Sequence, residues 1–436
     1  MLLKREWVRG IAVSFGLLLL GLLSVPAWAA ESDVSKLIRL LQEKNIITSQ
    51  EAESLLEEVT ASAKEEKEAI KSEVRNELAK SAQKGEFLPS ALKGFKFGTT
   101  VFAGWEAIDR SSPGSSSNKF YVERAHFTLS KDINEWLGGV VVTDVYSTGG
   151  DTGTAWAIRL KNAYVKLSFF DTTTLVGMIP TFSEAYDSAI WPYRVQGKNF
   201  LDETGVQATI DIGISNQGVF GGYMDADYLK FASKPFAGKW GGWMAGVFNG
   251  AGYTTEEGNG NKAISGLVYF RPLPMVPVLK GLQFAYTGTY GKSNRKFTAA
   301  YGSTDDNPNW HVNVVQASLQ HAYFTILGQY YWGQGTRQSQ EDLDRRGHLA
   351  AGFVRIPSLE KMRVFAKYYY VDPDSSNETA SGLRAPEYKT YIAGLSYDVT
   401  DEFMPFIAFE RRDYKKTISA ATADYDKYQV GFQFKF

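Results

Sequence analysis

The sequence predicts a transmembrane antiparallel β-barrel of about eighteen strands, with about sixteen as the alternative, behind a short α-helical coiled-coil segment. Three observations carry this. From Gly94 to the end, apolar and polar residues alternate with period two in runs long enough to cross a bilayer on a tilt. The first residues read as an export segment, and no later run is long and apolar enough for a membrane helix, so a membrane-crossing chain has to cross with strands. The chain ends QVGFQFKF, where Val430, Phe432, Phe434 and Phe436 alternate with Gln429, Gly431, Gln433 and Lys435, a strand with one greasy face, one wet face and an aromatic end at the interface.

The export segment opens with Lys4, Arg5 and Arg9, continues through the apolar stretch Ile11 to Val25, and reaches Ala27 and Ala29. Small residues at those two positions place cleavage after Ala29 and give a signal peptide over residues 1–29. Residues 30–85 have a different composition, rich in Glu, Lys, Ala and Leu, with no Gly before Gly85. SDVSKLIRLLQEKN reads as a helix that breaks at Asn45. Thr48 and Glu51 then fit a capping box that opens a second helix. Leu56, Val59, Ala63, Ile70, Val74 and Leu78 follow at coiled-coil spacing, interrupted by Glu66 and Lys67. The expectation is a periplasmic stalk that self-associates as a trimer.

The barrel occupies residues 94–436. GFKFGTTVFAGWE sets Phe95, Phe97, Thr99, Val101, Ala103 and Trp105 against Lys96, Gly98, Thr100, Phe102 and Gly104. GLQFAYTGTY and VNVVQASLQ repeat the alternation. Barrels of this kind have short turns at one rim and long loops at the other. The short links are expected at KDINE, FDTT, SNQG, SKPFAG, LPMVPVLK, QHA, PSLEK and TD. The long ones fall near 107–118, 148–155, 180–202, 250–261, 291–310, 334–346, 373–387 and 413–424. Alternation between rims then requires GVFGGYMDADYLKFAS to be two strands with a tight turn near Asp225, which sets the count at about eighteen.

Composition excludes several functions. The 436 residues carry a net charge of −1 and no basic patch for nucleic acid. With no Cys there is no disulfide, thiol catalysis or c-type haem attachment, and no cofactor is expected. His126, His311, His321 and His348 stand in no metal-ligand spacing, and no nucleophile–His arrangement points to an enzyme. The 24 Tyr, 27 Phe and 10 Trp suit aromatic girdles.

Taken with this layout, LLQEKNIITSQEAESLLEEV (40–59), YVERAHFTLS (121–130) and GMIPTF (177–182) give the chain a resemblance to bacterial outer-membrane porins of the general and phosphate-selective O/P type. The resemblance implies a passive outer-membrane channel for small hydrophilic solutes or ions, oxyanions among them, with the N-terminal segment in the periplasm. Phosphate-selective relatives line their path with rows of basic residues. Here acids and bases are mixed and no such row stands out, which departs from that pattern.

The loop TFSEAYDSAIWPYRVQGKNF is too apolar to extend into water. Folded into the lumen, it would set Glu184 and Asp187 against Arg194 and Lys198 as a pore constriction with a transverse field. On the wall, Arg124, His126, Asp144, Arg363 and Lys367 are expected to face the lumen, because a charge on the lipid face costs about 2–4 kcal/mol near the midplane. The implied partners are outer-membrane lipid, two further copies of the chain, and small solutes or ions. The competing reading is a structural barrel, either linking the envelope or sheathing an electron-transfer cytochrome.

Overall fold

The structure, a computed structural model, describes residues 94–111, 116–148, 156–230, 232–297, 306–376, 386–416 and 422–436, with scattered positions between 38 and 57. The signal peptide and the coiled-coil residues Leu56, Val59, Ala63, Ile70, Val74 and Leu78 lie outside the described residues. At the second helix the capping box is in place. The Thr48 backbone N–H donates to the Glu51 carboxylate at 2.8 Å, and the Glu51 N–H donates back to Thr48 Oγ1 at 3.3 Å.

The described residues from 94 to 436 form a closed barrel of sixteen antiparallel strands, each paired with its sequence neighbours and β1 with β16. The strands are β1 (Phe95–Arg110), β2 (Ser117–Asp132), β3 (Leu137–Ser147), β4 (Trp156–Phe169), β5 (Thr172–Pro180), β6 (Ile210–Phe220), β7 (Gly241–Phe248) and β8 (Ala263–Phe270). They continue as β9 (Leu282–Lys292), β10 (Asn309–Gln320), β11 (Phe324–Gln334), β12 (Asp344–Ile356), β13 (Leu359–Asp372), β14 (Tyr388–Tyr397), β15 (Phe403–Tyr414) and β16 (Tyr425–Lys435). Two short helices, α1 (Phe182–Ile190) and α2 (Phe200–Glu203), lie between β5 and β6.

The count is sixteen rather than about eighteen, and the difference lies in one segment. SNQG is inside β6, and GVFGGYMDADYLKFAS is not a pair of strands. Gly221 and Gly222 both adopt positive φ and end β6. The Asp225 carboxylate then accepts the Tyr228 N–H at 2.6 Å, and a 3-10 turn begins at Tyr228. Residues 221–240, SKPFAG included, therefore form one connection. Long and short links still alternate between the rims. The rim holding Phe95 and Phe436, here the near rim, carries the short ones apart from 221–240 and 271–281.

Closure follows from the terminal strand. Its polar residues Gln429 and Gln433 are buried on the lumen side, while Val430 and Phe436 are exposed outside. The Thr99 N–H donates to the Phe436 carbonyl at 2.7 Å and the Phe436 N–H to the Thr99 carbonyl at 3.0 Å. The last residue thus stitches β16 to β1 and leaves no sheet edge there. On β9 the outward Phe284, Tyr286 and Tyr290 are exposed, while Gln283, Ala285, Thr287 and Thr289 are buried inside. On these two strands an apolar outer face with a polar inner one inverts the pattern of a soluble domain.

Candidate functional site

The connection between β5 and β6, residues 181–209, folds into the barrel. Its apolar residues fill lumen space that water would otherwise occupy. Phe182 packs edge-on against Phe248 at the far rim, with ring centroids 5.4 Å apart. Such an edge-to-face pair suits the quadrupoles of the two rings. Lower down, the Tyr186 hydroxyl donates to Gln283 Oε1 at 2.7 Å. Tyr193 stacks on Phe365 at 4.1 Å and shares a 2.9 Å hydrogen bond with Ser396 Oγ, near the opposite end of the wall. The segment then climbs back: Gln196 Nε2 donates to Glu410 at 3.0 Å, Phe200 packs on Tyr331 and Tyr369, and Trp310 Nε1 donates to the Val206 carbonyl at 2.9 Å.

This insert covers one side of the barrel. The lumen-facing side chains Ser265, Thr287, Val314, Leu327, Leu349 and Phe365, on β8 to β13, are all buried. Along β1 to β4, Glu106, Arg124, His126, Arg159 and Lys161 keep part of their surface open. A cavity of about 460 Å³ lies on that open side, lined by Glu106, Lys119, Tyr121, Glu123, Lys198 and Lys427 among others.

The charged wall of β2 to β4 centres on Asp144, whose side chain is fully covered. Arg159 donates to Asp144 Oδ2 through Nε at 3.0 Å and Nη2 at 2.7 Å. Arg124 Nη1 stands 3.6 Å from the same oxygen and His126 Nε2 3.4 Å from Oδ1. Lys161 Nζ lies 3.2 Å from His126 Nε2. One carboxylate thus holds two guanidiniums and an imidazole, with an ammonium beyond, and this wall carries an excess of positive charge. The Arg159 guanidinium also sits 4.0 Å from the Tyr146 ring centroid, a cation–π contact.

Strict period two does not account for this density of charge. The register of β1 with β2 shifts between Phe102 and Ala103, which pair with Arg124 and Val122. Glu123 is the extra residue of a β-bulge, and it turns inward beside Arg124 instead of facing out with Ala125. The register of β3 with β4 shifts between Val142 and Thr143, paired with Asn162 and Leu160, which leaves Lys161 as the extra residue. Each bulge brings one more ionisable group into the lumen.

Of the residues singled out from the sequence, Arg124, His126 and Asp144 come together on the wall. Arg194 meets that wall: Nη1 is 3.4 Å from Glu123 Oε1, and Nη2 is 3.4 Å from Asp202 Oδ2. Glu184 accepts from Ser188 Oγ and Asn199 Nδ2, each at 2.9 Å. Burial raises its pKa, and the nearby Arg194 opposes the rise. Lys198 is exposed. Asp187, on α1, meets the wall and is 4% exposed, with Gln329 Nε2 of β11 3.4 Å from each of its oxygens. Burial, and secondarily Glu184, push its pKa up to about 7. Arg363 and Lys367 face inward but are covered. Arg363 pairs with Asp398, and Lys367 Nζ donates to the Lys198 carbonyl at 3.0 Å. Sequence reasoning misses Glu123, Arg159 and Lys161. For Arg159 and Lys161 a signal exists, since they alternate with Ile158 and Leu160 in WAIRLKNAYVKLSF. For Glu123 none exists, because a bulge breaks the parity that would reveal it.

No family profile matches the chain and no curated protein is similar to it in sequence. Solved structures are similar in shape. Pseudomonas putida OprB aligns with a TM-score of 0.53 at 10% identity, over 83% of this chain and 96% of its own. An anion-selective porin from Comamonas acidovorans aligns at 0.51 and 12% identity, over 78% and 99%. The trimer form of OmpT, an outer-membrane protein of Vibrio cholerae, aligns at 0.51 and 12% identity, also over 78% and 99%. The likeness is one of fold: this chain has the closed antiparallel barrel seen in outer-membrane porins.

Proposed function

We propose that this protein is an outer-membrane porin, a passive diffusion channel for small hydrophilic solutes and ions. The observation that carries the reading is the insert 181–209. It occupies one side of a sixteen-stranded lumen and leaves a charged passage beside β1 to β4. Arg194, Lys198 and Glu184 of the insert, with Arg124, His126, Asp144, Arg159 and Lys161 of the wall, act as the constriction. Fixed charges in a narrow, low-dielectric passage act on a permeating ion far more strongly than charges in open water. The excess of cations on β2 to β4 favours anions, small oxyanions included. Asp187, Arg363 and Lys367 contribute by holding the insert and not by meeting solute. The protein assembles as a homotrimer in outer-membrane lipid, with residues 30–85 in the periplasm.

Planar-bilayer recording on the purified, folded protein tests this. Stepwise conductance with a reversal potential displaced toward anions is the expected result. Folded protein that stays silent at all voltages would overturn it.

A further inference from the structure

The connection 221–240 enters the lumen from the near rim, opposite the rim that supplies residues 181–209. We infer that it is a second pore-restricting insert, locked by Arg271 and joined to the first insert through Gln283. The inference rests on the channel reading and extends it to a part of the chain that reading leaves unused.

Arg271, just after β8, is 0% exposed. Its guanidinium donates to four oxygens. Nε reaches the Gly238 carbonyl at 3.2 Å, Nη1 the Tyr228 hydroxyl at 2.6 Å and the Lys280 carbonyl at 2.7 Å, and Nη2 the Phe236 carbonyl at 3.2 Å. Three of these acceptors belong to the connection. A buried cation is tolerated only when its donors are satisfied, and the planar fork of Arg suits several fixed carbonyls at once. Tyr269 of β8 adds a bond, its hydroxyl accepting the Gly238 N–H at 3.1 Å. Gly238 has no room for a side chain, because a Cβ there would run into the Gly241 carbonyl.

Gln283 of β9 couples the two inserts. Its Oε1 accepts from Tyr186 of the first, and its Nε2 donates to the Phe236 carbonyl of the second at 3.4 Å. The Tyr186 and Phe236 rings meet edge-on at 4.8 Å, and both pack on Tyr269. Segments from opposite rims therefore touch inside the barrel and close the β8–β10 side from both ends. Solute is confined to the side of β1 to β4, past the bulge residues Glu123 and Lys161.

The chain has no cysteine, so a single thiol can report on this closure. Ser318→Cys is a near-isosteric reporter: Ser318 is buried on β10, in register with Gln283. The reporter is to be placed in the full chain alone, with Arg271→Met, and with Phe236→Ala, the last in case Arg271→Met does not fold. Reaction with a water-soluble methanethiosulfonate should be slow in the first protein and faster in the other two. The same two substitutions should shift the unit conductance upward. A thiol that reacts fast without either substitution overturns the proposal, as does a released thiol with unit conductance unchanged. If the folded protein never conducts, the channel reading fails separately. Slow labelling that both substitutions accelerate would then still support the insert, and fast labelling would still refute it.

Discussion

Arg194 and Glu123 face each other at 3.4 Å, joining the inward-folded insert to a bulged residue of β2. One partner comes from a loop that left the wall at Pro180 and the other from a strand that broke its alternation, so the pair marks where insert and wall meet across the passage. Replacing Arg194 and Lys198 by Gln should move the reversal potential toward cation preference. The shift should be largest at low salt, where screening is weakest. Glu123→Gln and Glu184→Gln should move it the other way. Reversal potentials in asymmetric salt measure this, and no movement in either set would remove the insert from the selectivity filter.

Asp187 should behave differently from Glu184 despite sitting on the same helix. It is buried between α1 and the wall, so Asp187→Asn should leave ion selectivity nearly unchanged while altering pH-dependent stability. The sign follows from its raised pKa, from 3.8 to about 7. Between those values the folded state keeps a proton that the unfolded state releases, so stability falls as pH rises through this window and levels off above it. Glu184 shifts in the same direction and adds to the trend, while Lys367 nearby opposes it for Asp187. Thermal unfolding in detergent at pH 5 and pH 8 should show a smaller difference for Asp187→Asn than for the unaltered protein. An equal difference would mean that Asp187 is not buried as a proton carrier.

Tyr193 anchors the insert beside the near rim. Tyr193→Phe keeps the stacking on Phe365 and loses only the bond to Ser396, a cost of about 1 kcal/mol. Tyr193→Ala removes both and leaves a cavity, a cost of about 3–5 kcal/mol. The Ala form should also show a larger, noisier unit conductance, because the freed insert no longer holds one position. Denaturant unfolding and single-channel recording of the two variants separate the contributions. Equal stability for both would mean that the ring does not pack as described.

Deleting residues 31–84 tests the stalk. The barrel should still insert, because its strands close on one another through β1 and β16. On the proposed trimer, whose seam would run from Leu56 to Leu78, the deletion should weaken assembly. Native mass measurement in detergent reads the outcome, and an unchanged assembly would rule the segment out as an assembly device.

The alternation of single strands was legible because side chains on a pleated strand point to opposite faces, whatever the neighbouring strand does. GFKFGTTVFAGWE, GLQFAYTGTY and QVGFQFKF therefore showed their faces in isolation, and so did the capping box at Thr48 and Glu51. The apolar loop from Phe182 to Tyr193 announced that it must leave water, since hydrophobic residues in such density are stable only when covered. What covers them depended on the wall: Phe248, Gln283, Phe365 and Ser396 come from four different strands. The connection 221–240 misled for the same reason. Its residues alternate well enough for strands, but Gly221, Gly222 and the Arg271 fork make it an insert, and Arg271 lies more than thirty residues beyond Gly238 along the chain. Glu123 illustrates the general limit. A bulge exists only in the register between two strands, so pairing across the barrel, and no local pattern, decided that this charge faces the lumen.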